Sequence, residues 1–235
     1  MTTIKKAEPK RLDQIMSNLG YCSRKEANLL AKDGRITVDG KMIKTAAVKV
    51  DPYSVLFDDE PLEHPESILV MLNKPVDYVC SHDASEGFLI YDLLPRRWMQ
   101  RKPQLMSIGR LDKDTSGLIL ITDIGNLVHD FTTPKKNIEK YYNVELDKPL
   151  EQKVIALFAS GTIRLDEDDK PCLPAKLDIT GTSTCRVILT EGKYRQIRRM
   201  FGSLGYEVIK LHRSQFGPYL LNDLAPGKYV EVPVL

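Results

Sequence analysis

From Gly109 to Gly117 the chain reads Gly-Arg-Leu-Asp-Lys-Asp-Thr-Ser-Gly and then enters the apolar run Leu118–Ile121. Glycine tolerates sharp turns and close approach of another group. A polar loop held by a rigid strand is also where reactive side chains tend to sit. Asp112 and Asp114 are the groups there that could attack an electrophile or accept a proton. Alone, D-x-D-T-x-G describes a solvated acidic loop equally well. A second segment, Glu139–Leu146, opens a strand pattern with Tyr141 and Tyr142. A tyrosine there can stack on a flat ring and offer its hydroxyl, or simply fill the core. The third segment is Glu191–Phe201. Ile197, Met200, Phe201 and Leu204 fall at i, i+3, i+4 and i+7, which predicts a helix over about Tyr194–Leu204. Arg195, Arg198 and Arg199 are expected on its other side, near Lys193, Lys210, His212 and Arg213. Such a cluster offers phosphate contact or is a solvated stripe.

The elements that must carry these segments are legible from periodicity. Strand patterns occur at Ile68–Leu72, Tyr78–Cys80, Leu118–Ile121, Tyr142–Leu146, Lys176–Ile179, Arg186–Leu189, Val208–Leu211 and Tyr229–Val232. Helical patterns are fewer, at Asn126–Phe131, Leu150–Ala159 and Tyr194–Leu204. Without a regular βαβ period, this predicts an α+β domain with a mixed, mostly antiparallel sheet. Ahead of it, Leu12, Ile15, Met16 and Leu19 predict a short amphipathic helix stopped at Gly20. Ser23 with Glu26 is a capping box opening a second helix to about Asp33. Its inward face is Ala27, Leu30 and Ala31, and Arg24, Asn28 and Lys32 share the opposite face. Ile36–Val38, the turn Asp39-Gly40 and a strand pattern to about Val50 complete a small unit of two helices and a hairpin. The expected domains are 1–60 and 68–235, joined by an acidic, proline-bearing linker at 61–67.

Charge separates the two. The first fifty residues hold eleven Lys/Arg against five Asp/Glu, a net of +6, whereas the whole chain nets only +2. A basic module on a near-neutral body is the asymmetry of a protein that grips a polyanion. No apolar run approaches the ~18 residues of a membrane helix. Met1–Arg11 lacks the apolar core of a signal peptide. A cytoplasmic protein is expected. Cys22, Cys80, Cys172 and Cys185 are widely spaced and the four histidines scattered, so no metal site is expected and the cysteines are read as reduced thiols.

Taken together the motifs resemble the pseudouridine synthases, and within them the branch that acts on the small ribosomal subunit. Gly109-Arg110-Leu111-Asp112 with Thr115 and Gly117 resembles the catalytic motif, Lys140-x-Tyr142 the second, and Gly192 with Gln196–Phe201 the third. The N-terminal unit is similar to the S4 RNA-binding domain, from Arg11-Leu12-Asp13 through Cys22–Ala27 to Ile36–Lys41. The resemblance runs from about Arg11 onward, in matching order. It implies that Asp112 is the nucleophile, Arg198 its ionic partner, and Tyr142 the ring packed on the target uracil. Arg110 would keep the target nucleotide extruded, with Thr115 beside it. Lys10, Arg11, Arg24, Lys25, Lys32, Arg195 and Arg199 would meet the RNA. Isomerising a base requires taking it out of the stack, at a cost of a few kcal/mol. The resemblance implies no cofactor and a ribosomal RNA partner (16S, free or in a partly assembled subunit); the chain is expected to act as a monomer.

Other readings fit less. D-x-D-x-[TV] also occurs in haloacid-dehalogenase-like phosphatases, but those need an apolar strand directly before the first Asp and an alternating α/β chain. An aspartic protease needs a second D-[TS]-x-G. A non-catalytic RNA-binding protein would not need Asp112, Tyr142 and Arg198. Large-subunit enzymes share Gly109–Asp114, while Tyr78–Ser81, His129 with Thr132–Pro134, Asp223–Tyr229 and the short C-terminus favour the small subunit.

Overall fold

The computed structural model describes residues 7–166 and 168–234; Lys5 and Lys6 of the basic segment lie outside them. The chain forms two compact units.

The first contains the residues up to Ile68 together with Leu94–Met106 and Thr122–Ile124. Helix α1 spans Leu12–Asn18 and α2 Arg24–Lys32. The capping box forms: Ser23 Oγ accepts from Glu26 N–H, and Ser23 N–H donates to Glu26 Oε2 at 2.8 Å. Leu12, Met16, Ala27 and Ala31 are buried. Strand β1 (Ile36–Val38) turns through Asp39 and Gly40, with φ of 49° and 73°, to pair with Lys41–Met42. The strand pattern expected to reach Val50 is interrupted after Met42 and resumes only at Lys49–Val50, which pairs with Lys10–Arg11, and the other neighbour of β1 is β2 (Val55–Phe57). Asn28 departs from its expected basic face, because its Oδ1 accepts from the Ala46 N–H at 2.9 Å and closes the loop.

The expected linear division is too simple, since Leu94–Met106 belongs with the first unit. Lys102 N–H donates to the Asn18 carbonyl at 2.8 Å, satisfying an acceptor that a helix end leaves open. Trp98 is buried with its Nε1–H on Glu63 at 3.1 Å, and the Arg97 guanidinium lies 4.4 Å from the Tyr21 ring centre.

The second unit is built on a mixed sheet. Its main strands are β3 (Leu69–Lys74), β4 (Ser116–Thr122), β5 (Lys140–Leu146), β6 (Lys176–Ile179), β7 (Thr184–Leu189), β8 (Val208–Phe216) and β9 (Tyr229–Glu231), with two-residue strands at Met106–Ser107 beside β4 and Tyr219–Leu220 beside β8. Their order is β6-β7-β5-β8-β4-β3-β9. Pairing is antiparallel in β6·β7, β7·β5, β5·β8 and β3·β9, and parallel in β4·β8. Helices α3 (Gly125–Thr132), α4 (Lys153–Ser160) and α5 (Gln196–Ser203) bury one face each; Phe158 of α4 meets Phe201 of α5 with ring centres 4.8 Å apart. Strand β8 runs five residues past its expected end, because the polar His212-Arg213-Ser214-Gln215 conceals the alternation. Among the described residues no helix is long and apolar enough to cross a membrane.

Candidate active site

The loop ahead of β4 opens at Gly109 (φ 69°) and turns back at Asp112, whose carbonyl accepts from Thr115 N–H at 3.1 Å. A cleft of about 490 Å³ lies over it. Arg110, Asp112, Thr115, Tyr142 and Arg195 line this cleft, together with Cys80, Gly192 and Tyr194. The structure thus brings Asp112, Tyr142, Arg110 and Thr115 into one place. The Asp112 side chain is 29% exposed, open enough to meet a ligand.

Lys74, unnoticed in the sequence, fastens the loop from below. It is fully buried, and its Nζ donates to the carbonyls of Thr115 at 2.7 Å and Pro75 at 2.9 Å. Burial pushes this ammonium down to about 8. A lysine two residues past the apolar run Ile68–Leu72 was the available signal. Gly117 also has a different task from the expected ligand approach. Its φ is 109°, and a Cβ there would stand 2.6 Å from Arg213 N and closer still to the Arg213 carbonyl oxygen. The missing side chain lets β4 and β8 close on each other.

The arginines of the third motif do not form one helical stripe. Arg195 precedes α5 in a left-handed conformation (φ 45°, ψ 36°), which turns its side chain to the loop. Its Nη2 donates to Asp114 Oδ2 at 2.8 Å, and its Nη1 stands 3.9 Å from Asp112 Oδ2. Arg198 departs from the expected pairing with Asp112. From the first turn of α5 it reaches the Asp114 carbonyl at 2.9 Å, the Asp114 carboxylate at 3.3 Å and the Val208 carbonyl at 2.7 Å. Those acceptors lie closer along its path than Asp112. Arg199, expected at phosphate, bonds the Tyr194 carbonyl at 3.2 Å and the Asp166 carbonyl, and lies 3.6 Å from Asp168 Oδ2. Burial raises the Asp114 carboxyl, but the Arg195 hydrogen bond and the charges of Arg198 and Arg195 outweigh it and hold it below the usual aspartate value.

Tyr142 is 9% exposed on β5, and its hydroxyl accepts from Arg213 Nη1 at 3.4 Å. Arg213 is itself buried, so it is no surface phosphate ligand, and Lys210 is paired with Glu145 at 2.8 Å. In the first unit Lys10, Lys25 and Lys32 are exposed. Arg11 and Arg24 both bond Asp13, at 2.9 Å and 3.0 Å, yet stay 43% and 56% exposed.

The profile of RNA pseudouridylate synthases matches residues 68–203, and that of the S4 domain residues 10–55. The chain belongs to the RNA pseudouridylate synthase family. It is 37% identical over 224 residues to ribosomal small subunit pseudouridine synthase A of Escherichia coli K12, covering 93% of this chain and 94% of that one. It is 38% identical over 223 residues to the protein of that name from Vibrio parahaemolyticus, covering 93% and 94%. An uncharacterized RNA pseudouridine synthase of Bacillus subtilis is 36% identical over 229 residues, covering 94% of each chain. A crystal structure of a pseudouridylate synthase superposes with a TM-score of 0.67 at 34% identity, covering 95% of this chain and 96% of that one. This chain is therefore a pseudouridine synthase, an isomerase of uridine in RNA with an S4 domain at its N-terminus.

Proposed function

We propose that this synthase isomerises one uridine of small-subunit (16S) ribosomal RNA, acting as a cytoplasmic monomer, with Asp112 as the group that works on the nucleoside. The observation that carries this reading is the half-open Asp112 carboxylate in the cleft it shares with Tyr142, with the Arg195 guanidinium 3.9 Å away. An uncommitted carboxylate can approach C1′, C6 or the C2′ proton of an extruded nucleotide, while Asp114 absorbs the hydrogen bonds of Arg195 and Arg198. Tyr142 presents a ring edge to a flat base, Arg110 stands at the mouth to hold the nucleotide out, and Thr115 supplies a buried hydroxyl without a partner among the described residues. The exposed Lys10, Lys25 and Lys32, with the open edges of Arg11 and Arg24, serve as the RNA clamp. The relatives named for the small subunit support the choice of RNA.

The test is to map pseudouridine across both ribosomal RNAs of a strain lacking the protein. Loss of a single 16S position is expected, restored by the wild-type chain and not by Asp112→Asn. Loss confined to 23S rRNA would move the substrate to the large subunit.

A further inference from the structure

Arg213 is the largest fully buried side chain, and among the described residues its guanidinium meets no carboxylate. Its Nε donates to the Leu118 carbonyl at 2.7 Å and its Nη1 to Tyr142 Oη at 3.4 Å, while Nη2 has no partner among the described residues. The remaining neighbours are aromatic: the guanidinium carbon lies 4.7 Å from the Phe216 ring centre and 6.0 Å from that of Tyr142. Burying a charge without a counterion is costly. The sheet nonetheless holds it there, through the parallel register Gly117↔Arg213 and the missing Cβ of Gly117. A second cation, Lys140, stands 5.3 Å from the same Phe216 ring. Burial first, and then the charge of Arg213, push the Lys140 ammonium down to about 8. Tyr142 therefore has cleft on one side and unneutralised positive charge on the other.

We propose that Arg213 is a positioning residue for the isomerisation: it anchors the Tyr142 phenol beside the target base and supplies the positive potential that favours that base as a departing anion. When the N1–C1′ bond breaks, its electron pair stays on N1. The free uracil then carries one negative charge, spread onto O2 and O4, and the matching positive charge at C1′ faces Asp112. Rejoining uses a ring electron pair to form C5–C1′. The C5 proton leaves and N1 gains one, so no oxidant or reductant takes part. Fixed charge of the right sign in a site shielded from water is an effective way to stabilise such an intermediate.

This inference rests on the proposed placement of the base against Tyr142 and Asp112. The test uses the full-length protein and transcripts of both ribosomal RNAs, made with uridine or with 5-fluorouridine, whose uracil departs more readily as an anion. Single-turnover loss of the N1-linked nucleoside is measured at saturating RNA for wild type, Arg213→Lys and Arg213→Met. Absence of wild-type turnover on the uridine transcripts of both subunits is a failure of the proposed function, whatever the variants do. With wild type active, Arg213→Met is expected to be about 100-fold slower and Arg213→Lys about tenfold slower, with RNA Kd changed less than about threefold. Both deficits should shrink on the 5-fluorouridine transcript. Where Arg213→Met fails to fold, the Arg213→Lys ratio between the uridine and 5-fluorouridine transcripts carries the same comparison. Equal deficits on those two, or no deficit in folded variants, would overturn the inference, because a merely structural loss slows both substrates alike.

Discussion

Asp112 and Asp114 stand two residues apart on one loop and keep different company. Asp114 takes a hydrogen bond from Arg195 and an ion pair from Arg198, while the Asp112 carboxylate is approached by Arg195 at 3.9 Å. The two arginines should therefore separate experimentally. Arg195→Ala removes the cation nearest Asp112 and should lower single-turnover rate about tenfold or more, at little cost in stability. Arg198→Ala strips partners from the Val208 and Asp114 carbonyls, and should lower the denaturant-measured stability by about 1–3 kcal/mol. Equal effects of the two on both measurements would contradict this division. The motifs single out Asp112 and Tyr142, and both line the same cleft. That Arg195 and not Arg198 stands within 4 Å of Asp112 was not legible, because a 3.6-residue period does not reveal that the helix starts at Gln196 and that Arg195 is left-handed.

At the scale of elements, β4 and β8 meet where Gly117, the last residue of the candidate loop motif, faces Arg213. Gly117→Ala combines a clash with backbone and a positive φ. It should cost at least about 3 kcal/mol of stability, read as a shift of the urea midpoint. A near-native midpoint would mean that the strands can part without loss. In the first unit the Arg11 hydrogen bond leads in holding the Asp13 carboxyl down to about 2. A carboxyl depressed in the folded state contributes stability that is complete above its ordinary value near 3.8 and fades as pH falls through about 2. Wild type should thus lose stability relative to Asp13→Asn over that interval, measured as midpoint against pH. Parallel curves would show that the Asp13 ion pairs carry no net weight. Helix α1 was readable from its apolar period alone, and α2 because its capping box and apolar period agree. β2 was hidden, since Val55–Phe57 lies between turn residues and too short for alternation to register. Leu94–Met106 joins the first unit through contacts such as Lys102 with Asn18, which no local pattern encodes.

For the whole molecule, that shared unit makes truncation near Pro65 a poor test of RNA binding, because it would leave Trp98 and Lys102 without their partners. Charge removal in the full chain is cleaner. Lys25→Gln with Lys32→Gln should weaken RNA binding and reduce the slope of log K against log salt by roughly 1–2, leaving the rate at saturating RNA near wild type. An unchanged slope would take α2 out of the clamp. The central claim is that Asp112 performs the isomerisation, and replacement of the C5 hydrogen by C1′ gives a direct reading of it. Ribosomal RNA labelled with tritium at uridine C5 is mixed with excess wild type or Asp112→Asn, and tritium release to water is followed alongside RNA binding. Wild type should release the label of one uridine per RNA, and Asp112→Asn should bind with similar affinity and release none. Release by Asp112→Asn at a rate near wild type would contradict the account.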